Sequence, residues 1–407
     1  MLEKIKKDSK EDLKNIFDKI DEIEEFNSRK ILDAFIENGV SESDFNFSTG
    51  YGYNDMGRDK IEDVYASIFK CEDALVRSQF ISGTHAISTC LFALLRPGDI
   101  MLSISGKPYD TLDTIIGFND NQSSLKAFNI DYKQIDLIDN NFDYDSIRDV
   151  LSKNKIKLIE IQRSKGYSTR ESISIDKIEE VIKFIRSIDK EVIIMIDNCY
   201  CELVNKKEPT EVGADICVGS LIKNLGGAIA SNGGYIVGRR DLINLCAERL
   251  NVPGQDKEVG PSMGQNRYIL EGLYMAPMIV NNAIKTAIYT AYLFEKLGYN
   301  VSPKYNEERV DIVENIIFNN EEDLITYVKA IQANSKIDSN AIAMPSEMPG
   351  YDDKIIMASG SFTQGSSIEL SCDGPLRSPY IAYQQGSISY KYGKIIVERA
   401  INNLLNK

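Results

Sequence analysis

Histidine is almost missing from this chain: of 407 residues, only His85 is one. Any mechanism that needs two histidines from one chain is therefore excluded. Long apolar runs are missing too, and none approaches the ~20 residues that cross a bilayer. The opening stretch, MLEKIKKDSKEDLKNIFDKIDEIEE, is charged and has no apolar core of the kind a secretory leader carries. There is no basic excess. The net charge of −14 argues against a dedicated nucleic-acid surface. The cysteine count is seven, an odd number in a large chain, and most sit inside apolar runs. That suits buried thiols in a reducing cytosol, so a cytoplasmic protein is expected. Cys199 and Cys201 form a C-x-C with no second Cys/His cluster beside it, which argues against a metal site.

What is present is an ordinary globular composition, 43% apolar and 27% charged, long enough for one large α/β domain and a smaller one. Residues 11–39 read as a charged amphipathic helix. ENGVSESDFNFSTGYGYNDMGRDK follows as a polar extended arm. Strand and helix signals then alternate. DALVRS, DIMLSI, KIKLIEI, EVIIMID, ADICVGS and GGYIVGR are short apolar runs, and SGTHAISTCLFALLRPGD and DKIEEVIKFIRSID are helical. Runs apolar on both faces suit parallel strands covered by helices, so a doubly wound, mostly parallel sheet is predicted. From about Asn281 the pattern changes. A long helix leads to two predicted strands, DLITYVKAIQ and SSIELSC, and a last helix. The expected division is an N-terminal helix and arm over 1–60, a large domain over 61–280 and a smaller α+β domain over 281–407.

Ligands of open α/β sheets gather at the carboxyl ends of the strands. Four features fall there. Ser82-Gly83-Thr84-His85 opens a helix whose free N–H groups suit an anion; the same residues also make an ordinary helix cap. Asp197 ends the run EVIIMID, where a buried carboxylate needs a partner: a structural ion pair, or a positive group on a ligand. Tyr109 follows DIMLSI and could stack on a planar ring. Lys223, with Ser220, follows ADICVGS and precedes Gly226-Gly227. Together they suit pyridoxal 5'-phosphate. Gly83, Thr84 and Ser220 would meet the phosphate, Asp197 the pyridine nitrogen and Lys223 the aldehyde, with the two glycines keeping side chains off the cofactor face.

The motifs Asp197-Asn198-Cys199-Tyr200, Gly213-Ala214-Asp215 and Ser220-x-x-Lys223 resemble the cystathionine and methionine branch of fold-type-I pyridoxal-phosphate enzymes. GYGYNDMGRDKIEDVYASIF, FISGTHAIS and GSSIELSCDGPLRSPY are similar to its methionine gamma-lyase-like group, often labelled aluminium-resistance proteins. The resemblance runs from about Thr49 to the C-terminus. It implies a Schiff-base role for Lys223, a pyridinium partner in Asp197, a ring-stacking Tyr109, and Tyr53 and Arg58 on an arm that reaches a neighbouring subunit's phosphate. Arg377 becomes the candidate for the substrate carboxylate, because a guanidinium binds it through two points; Arg163 is the next choice. His85 either faces the cofactor or caps its helix. Two departures stand out. Ile222 replaces a threonine before the lysine, and Gln162-Arg163-Ser164 stands where the branch offers an asparagine to the ring oxygen.

The resemblance implies a carbon–sulfur lyase. Its substrate would be a small amino acid of the cystathionine or methionine type, and its assembly a homo-oligomer of shared active sites, a dimer doubled to a homotetramer. An aminotransferase or aldolase would use the same residues. A non-catalytic cofactor-binding or metal-stress protein is the remaining alternative.

Overall fold

A computed structural model describes residues 1–349 and 351–407. Seven strands form the large sheet: β1 Asp73–Arg77, β2 Ile100–Ser103, β3 Asp131–Gln134, β4 Leu158–Gln162, β5 Ile193–Asp197, β6 Ile216–Ser220 and β7 Gly234–Gly238. Their order is β1-β7-β6-β5-β4-β2-β3. The neighbours β6-β5-β4-β2-β3 run parallel, and β7 is antiparallel to both β6 and β1. The doubly wound prediction therefore holds, with one reversed strand.

The physical reason is in the strands themselves. Along β5, Ile193 and Met195 pack into one core while Ile194 and Ile196 pack into another on the opposite face. Side chains alternate with period two, so a strand apolar at every position must be covered on both sides. Helices supply the cover. Ile175–Ile188 buries Ile178, Val181, Ile182 and Ile185 and starts at Ser174, whose side chain accepts the Lys177 N–H. Among the described residues no helix is long and apolar enough to cross a membrane.

The helix Gln265–Lys296 leads from the large sheet into a second, antiparallel one. Its strands are β8 Asn300–Ser302, β9 Val313–Ile317, β10 Ile355–Ala358, β11 Ser371–Pro375 and β12 Ile381–Gln385, in the order β10-β11-β12-β9-β8. Two strand predictions fail here. DLITYVKAIQ lies in the helix Glu321–Ala333, which buries Leu324, Tyr327, Val328 and Ile331 along one stripe and is capped by Asn320. Its apolar residues recur at three and four, a helical period that overrides the β-branched and aromatic content. SSIELSC contributes only its last two residues to β11. Its stretch before the strand is irregular, and Leu370 holds φ +75°. The N-terminal helical segment also starts earlier than predicted, as Leu2–Asp12 and Lys14–Glu37 with a break at Leu13.

The pair Gly226-Gly227 does not serve the cofactor face, as the sequence reading had it. A Cβ on Gly226 would overlap the Leu221 carbonyl, and one on Gly227, at φ +53°, would overlap the carbonyl of Gly272 on the long helix. The glycines let the loop after Lys223 lie directly against that helix, which fixes the lysine's backbone. Gly226→Ala should destabilise the protein by about 3 kcal/mol, since backbone cannot yield as a side chain can. Gly254→Ala meets open space and only a positive φ, so about 1–2 kcal/mol is expected. Urea unfolding of the two variants checks this; a Gly226→Ala protein no less stable than Gly254→Ala would refute it.

Candidate active site

The carboxyl ends of β4, β5 and β6 and the start of the helix Gly83–Leu94 open into a cleft of about 250 Å³, closed on the other side by residues of the second sheet. Lys223, Asp197, Ser220, Gly83, Thr84 and Tyr109 all line it.

At its floor Asp197 is buried. One carboxylate oxygen accepts the Cys199 N–H at 3.0 Å; the other has no hydrogen-bond partner, and no lysine, arginine or histidine lies within ion-pair distance among the described residues. Lys223 lies over the face of Tyr200, its Nζ 4.0 Å from the ring centroid. Burial works against its charge, but Cys199, Tyr200 and Asp197 around it outweigh burial and raise its pKa above the ordinary lysine value. Tyr200 holds φ +72°, a conformation rare outside glycine and a mark of a position the surroundings dictate.

On the opposite wall Ser82 caps its helix by accepting the His85 N–H at 3.1 Å, and the Ala86 N–H bonds the Ser82 carbonyl. The Gly83 and Thr84 N–H groups have no acceptor among the described residues. A Cβ on Gly83 would come 3.1 Å from the Cβ of Ser220, so glycine keeps this corner open. Thr84 Oγ1 lies 2.9 Å from Thr111 Oγ1.

Tyr109 is fixed at both ends. Its N–H donates to Gln162 Oε1 at 2.6 Å, and its hydroxyl is 2.5 Å from that of Tyr351. Burial pushes its phenol well above the usual range. Of the three residues after the β4 core, Gln162 and Ser164 line the cleft. Arg163 is fully buried behind it, bonded to Asn198 Oδ1 at 2.6 Å, so it is not a substitute ligand for substrate. Ile222 lines the cleft where a hydroxyl was expected.

Four expected residues are elsewhere. His85 does not line the cleft; its Nδ1 accepts the Ile81 N–H at 3.2 Å, and its ring packs edge-on to Phe80. Arg58 is 3% exposed and spent within its own chain, donating to the Gly52 and Gly260 carbonyls at 2.7 and 3.2 Å and to Asp59. Tyr53 is 56% exposed and stacked on Tyr51, outside this chain's cleft. Arg377 is exposed; it donates to Asp353 and to the Tyr167 carbonyl, both at 2.9 Å, tying the Tyr351 segment to the loop after β4 rather than entering the cleft. The reason is position: Arg377 follows the end of β11, whereas Asp373 lies inside that strand and faces the cleft.

Sequence reasoning missed Asp373, Tyr167 and Tyr351. Tyr167 sits on a strand-exit loop, as Tyr109 and Lys223 do, so the same rule would have found it. Asp373, an acid within a buried strand beside Gly-Pro, carried the signal given to Asp197. Tyr351 had none: it lies in an irregular segment.

The methionine gamma-lyase family model matches residues 2–405. The Bacillus subtilis protein YnbB, itself uncharacterized, is 44% identical over 410 residues, covering 100% of this chain and 97% of its own. A solved structure from Clostridium novyi NT, described as a carbon–sulfur lyase involved in aluminium resistance, is 45% identical with a TM-score of 0.95, covering 99% of this chain and 96% of that one. CalE6, a methionine gamma lyase from Micromonospora echinospora solved in its apo form, is 17% identical with a TM-score of 0.58 over 86% of each chain, a likeness of fold alone.

Glu160 of β4 is buried and makes no ion pair among the described residues, although the charge of Arg170 is felt there and partly offsets burial. It accepts from Ser103 Oγ at 2.8 Å, and burial lifts its pKa from 4.5 to about 8. The unfolded chain therefore ionises first, and this group costs stability progressively as pH rises from about 4.5 to about 8. Glu160→Gln should remove that slope and be relatively more stable at pH 8 than at pH 5. Urea unfolding across this range tests it, and an unchanged pH dependence counts against it.

Proposed function

The chain belongs to the methionine gamma-lyase family, and from that premise we propose that it is a pyridoxal-phosphate-dependent carbon–sulfur lyase acting on a small sulfur amino acid. It would eliminate a thiol from the β or γ carbon and yield a keto acid and ammonia. The observation that carries this is the meeting, in one cleft, of an amine, a buried carboxylate with no ion pair among the described residues and a helix start whose first two N–H groups have no acceptor among them.

The residues present fit the cofactor. The Gly83 and Thr84 N–H groups and the Ser220 hydroxyl would hold its phosphate, in a corner that a side chain at 83 would fill. The free oxygen of Asp197 would accept from the ring nitrogen and keep it protonated. Lys223 would hold the aldehyde, and Tyr109 would lie against the ring. Bound there, pyridoxal phosphate supplies the sink for the electron pair left when a Cα–H bond breaks.

The proton work falls to the chain. The amine of Lys223, in its neutral form, would take the Cα proton from its place on the cleft wall. Tyr109, kept protonated by burial and oriented by Tyr351, donates to the departing thiolate. Borohydride reduction of the holoenzyme followed by peptide mapping should find the cofactor on Lys223, and Lys223→Ala should lose ~10²–10⁴-fold in kcat. Cofactor on another lysine would overturn the assignment.

A second copy of the chain completes the site in this reading. Among the described residues lining the cleft Lys223 is the one cation, too few for a phosphate and a substrate carboxylate. Beside the helix start Ile81 is 80% exposed, and Tyr51 and Tyr53 on the arm and Met263 on the segment that holds it are exposed too. The arm is tied there, Gly260 N–H to the Tyr51 carbonyl at 2.9 Å and Gln79 to the Pro261 carbonyl at 2.7 Å. Apolar surface grouped this way suits an interface. Tyr53, not Arg58, is the arm residue free to reach a partner. Chains carrying Tyr53→Ala and Lys223→Ala should each be nearly inactive yet regain activity when reassembled together, because one site then has both groups. No recovery in verified mixed oligomers would rule this out.

A further inference from the structure

The mechanism leaves one charged group of the cleft unused. Asp373, in the middle of β11, is 5% exposed and lines the cleft from the second sheet. It accepts from the Tyr167 hydroxyl, and from Gln385 Nε2 at 2.8 Å. Two hydrogen bonds leave about half of a carboxylate's acceptor sites open. No lysine, arginine or histidine pairs with it among the described residues. A buried carboxylate without a cation is costly, so its retention beside a ligand cleft points to a positive charge that arrives with the ligand.

The surroundings agree. Tyr167 and Tyr351 lie with ring centroids 5.7 Å apart, and Tyr167 and Tyr383 5.0 Å apart, at 45° and 54° between planes. A small extension of the cleft is lined by Tyr167, Tyr383, Asp373 and Gln385. Tilted aromatic faces around a carboxylate are the chemistry that recognises an ammonium. A thioether with an alkyl end would leave Asp373 buried and unmet.

Resting on the lyase reading for the reaction, we propose that Asp373, with Tyr167, Tyr351 and Tyr383, reads a positive charge at the far end of the substrate side chain. The preferred substrates are then sulfur amino acids whose sulfur-borne group carries an ammonium. Asp373 is a specificity determinant here and takes no part in proton transfer at Cα.

Binding tests this apart from turnover. L-lysine and L-2-aminoheptanoate have side chains of equal length, one ending in ammonium and one in methyl, and neither carries a leaving group. Calorimetry on the holoenzyme should show lysine binding at least tenfold tighter, with the preference lost in Asp373→Asn and reduced in Tyr351→Leu. The wild-type comparison needs no variant, so a poorly folding Asp373→Asn does not spoil it. Equal binding of the two ligands, or a preference that survives in a folded Asp373→Asn, overturns the proposal. Turnover forms the second arm, using the S-(2-aminoethyl) and S-propyl derivatives of cysteine and homocysteine. Thiol release that favours aminoethyl over propyl tenfold or more supports both readings. Equal release from both sinks the charge preference and leaves the lyase standing. A lysine preference with no thiol released from any of the four sinks the lyase and leaves the charge-reading pocket.

Discussion

The free oxygen of Asp197 sets the terms for the rest of the site. A carboxylate at the end of a buried strand is tolerable only with a partner, and among the described residues it has one N–H and no ion pair. Everything near it is arranged so that a ligand can supply what is missing. Gly83 keeps the opposite wall clear, Ser220 and Lys223 arrive on the next strand's exit, and Tyr109 is held between Gln162 and Tyr351. Parallel strands make the grouping possible, because neighbouring strands end on the same side and their exit loops share one cleft.

Lys223 depends on a different constraint, contact between backbones. Its loop returns against the helix Gln265–Lys296, where Gly226, Gly227 and Gly272 meet without side chains between them. The ring of Tyr200 supports the amine from below. The lysine is therefore held at the cleft by packing remote from any ligand, as catalytic groups on rigid supports are.

The two sheets divide the labour. The large one carries the groups that the family's chemistry requires; the small one lends Asp373 and Gln385, and Tyr351 from the segment before β10. In the proposed reading Asp373 bears on what enters, while Tyr351 also orients Tyr109. Arg377, which looked like the substrate ligand, instead latches the Tyr351 segment onto the loop after β4. It serves the pocket by position, through Asp353 and the Tyr167 carbonyl.

Much of the first sheet was legible because its information is local. Strand cores apolar on both faces, a capped helix after Ser82 and polar residues at strand exits are patterns within ten or so residues, and they led to Asp197, Lys223, Ser220, Gly83, Thr84 and Tyr109. What the sequence by itself determined is this order of elements and the chemistry at their ends. Only the tertiary structure decided which side chains from distant segments share the cleft. Arg58 turned inward because the carbonyls of Gly52 and Gly260 are within its reach, His85 turned back to the Ile81 N–H, and Asp373 rather than Arg377 faced the cleft. Direction of this kind follows from packing between segments far apart in the chain, and no local pattern encodes it.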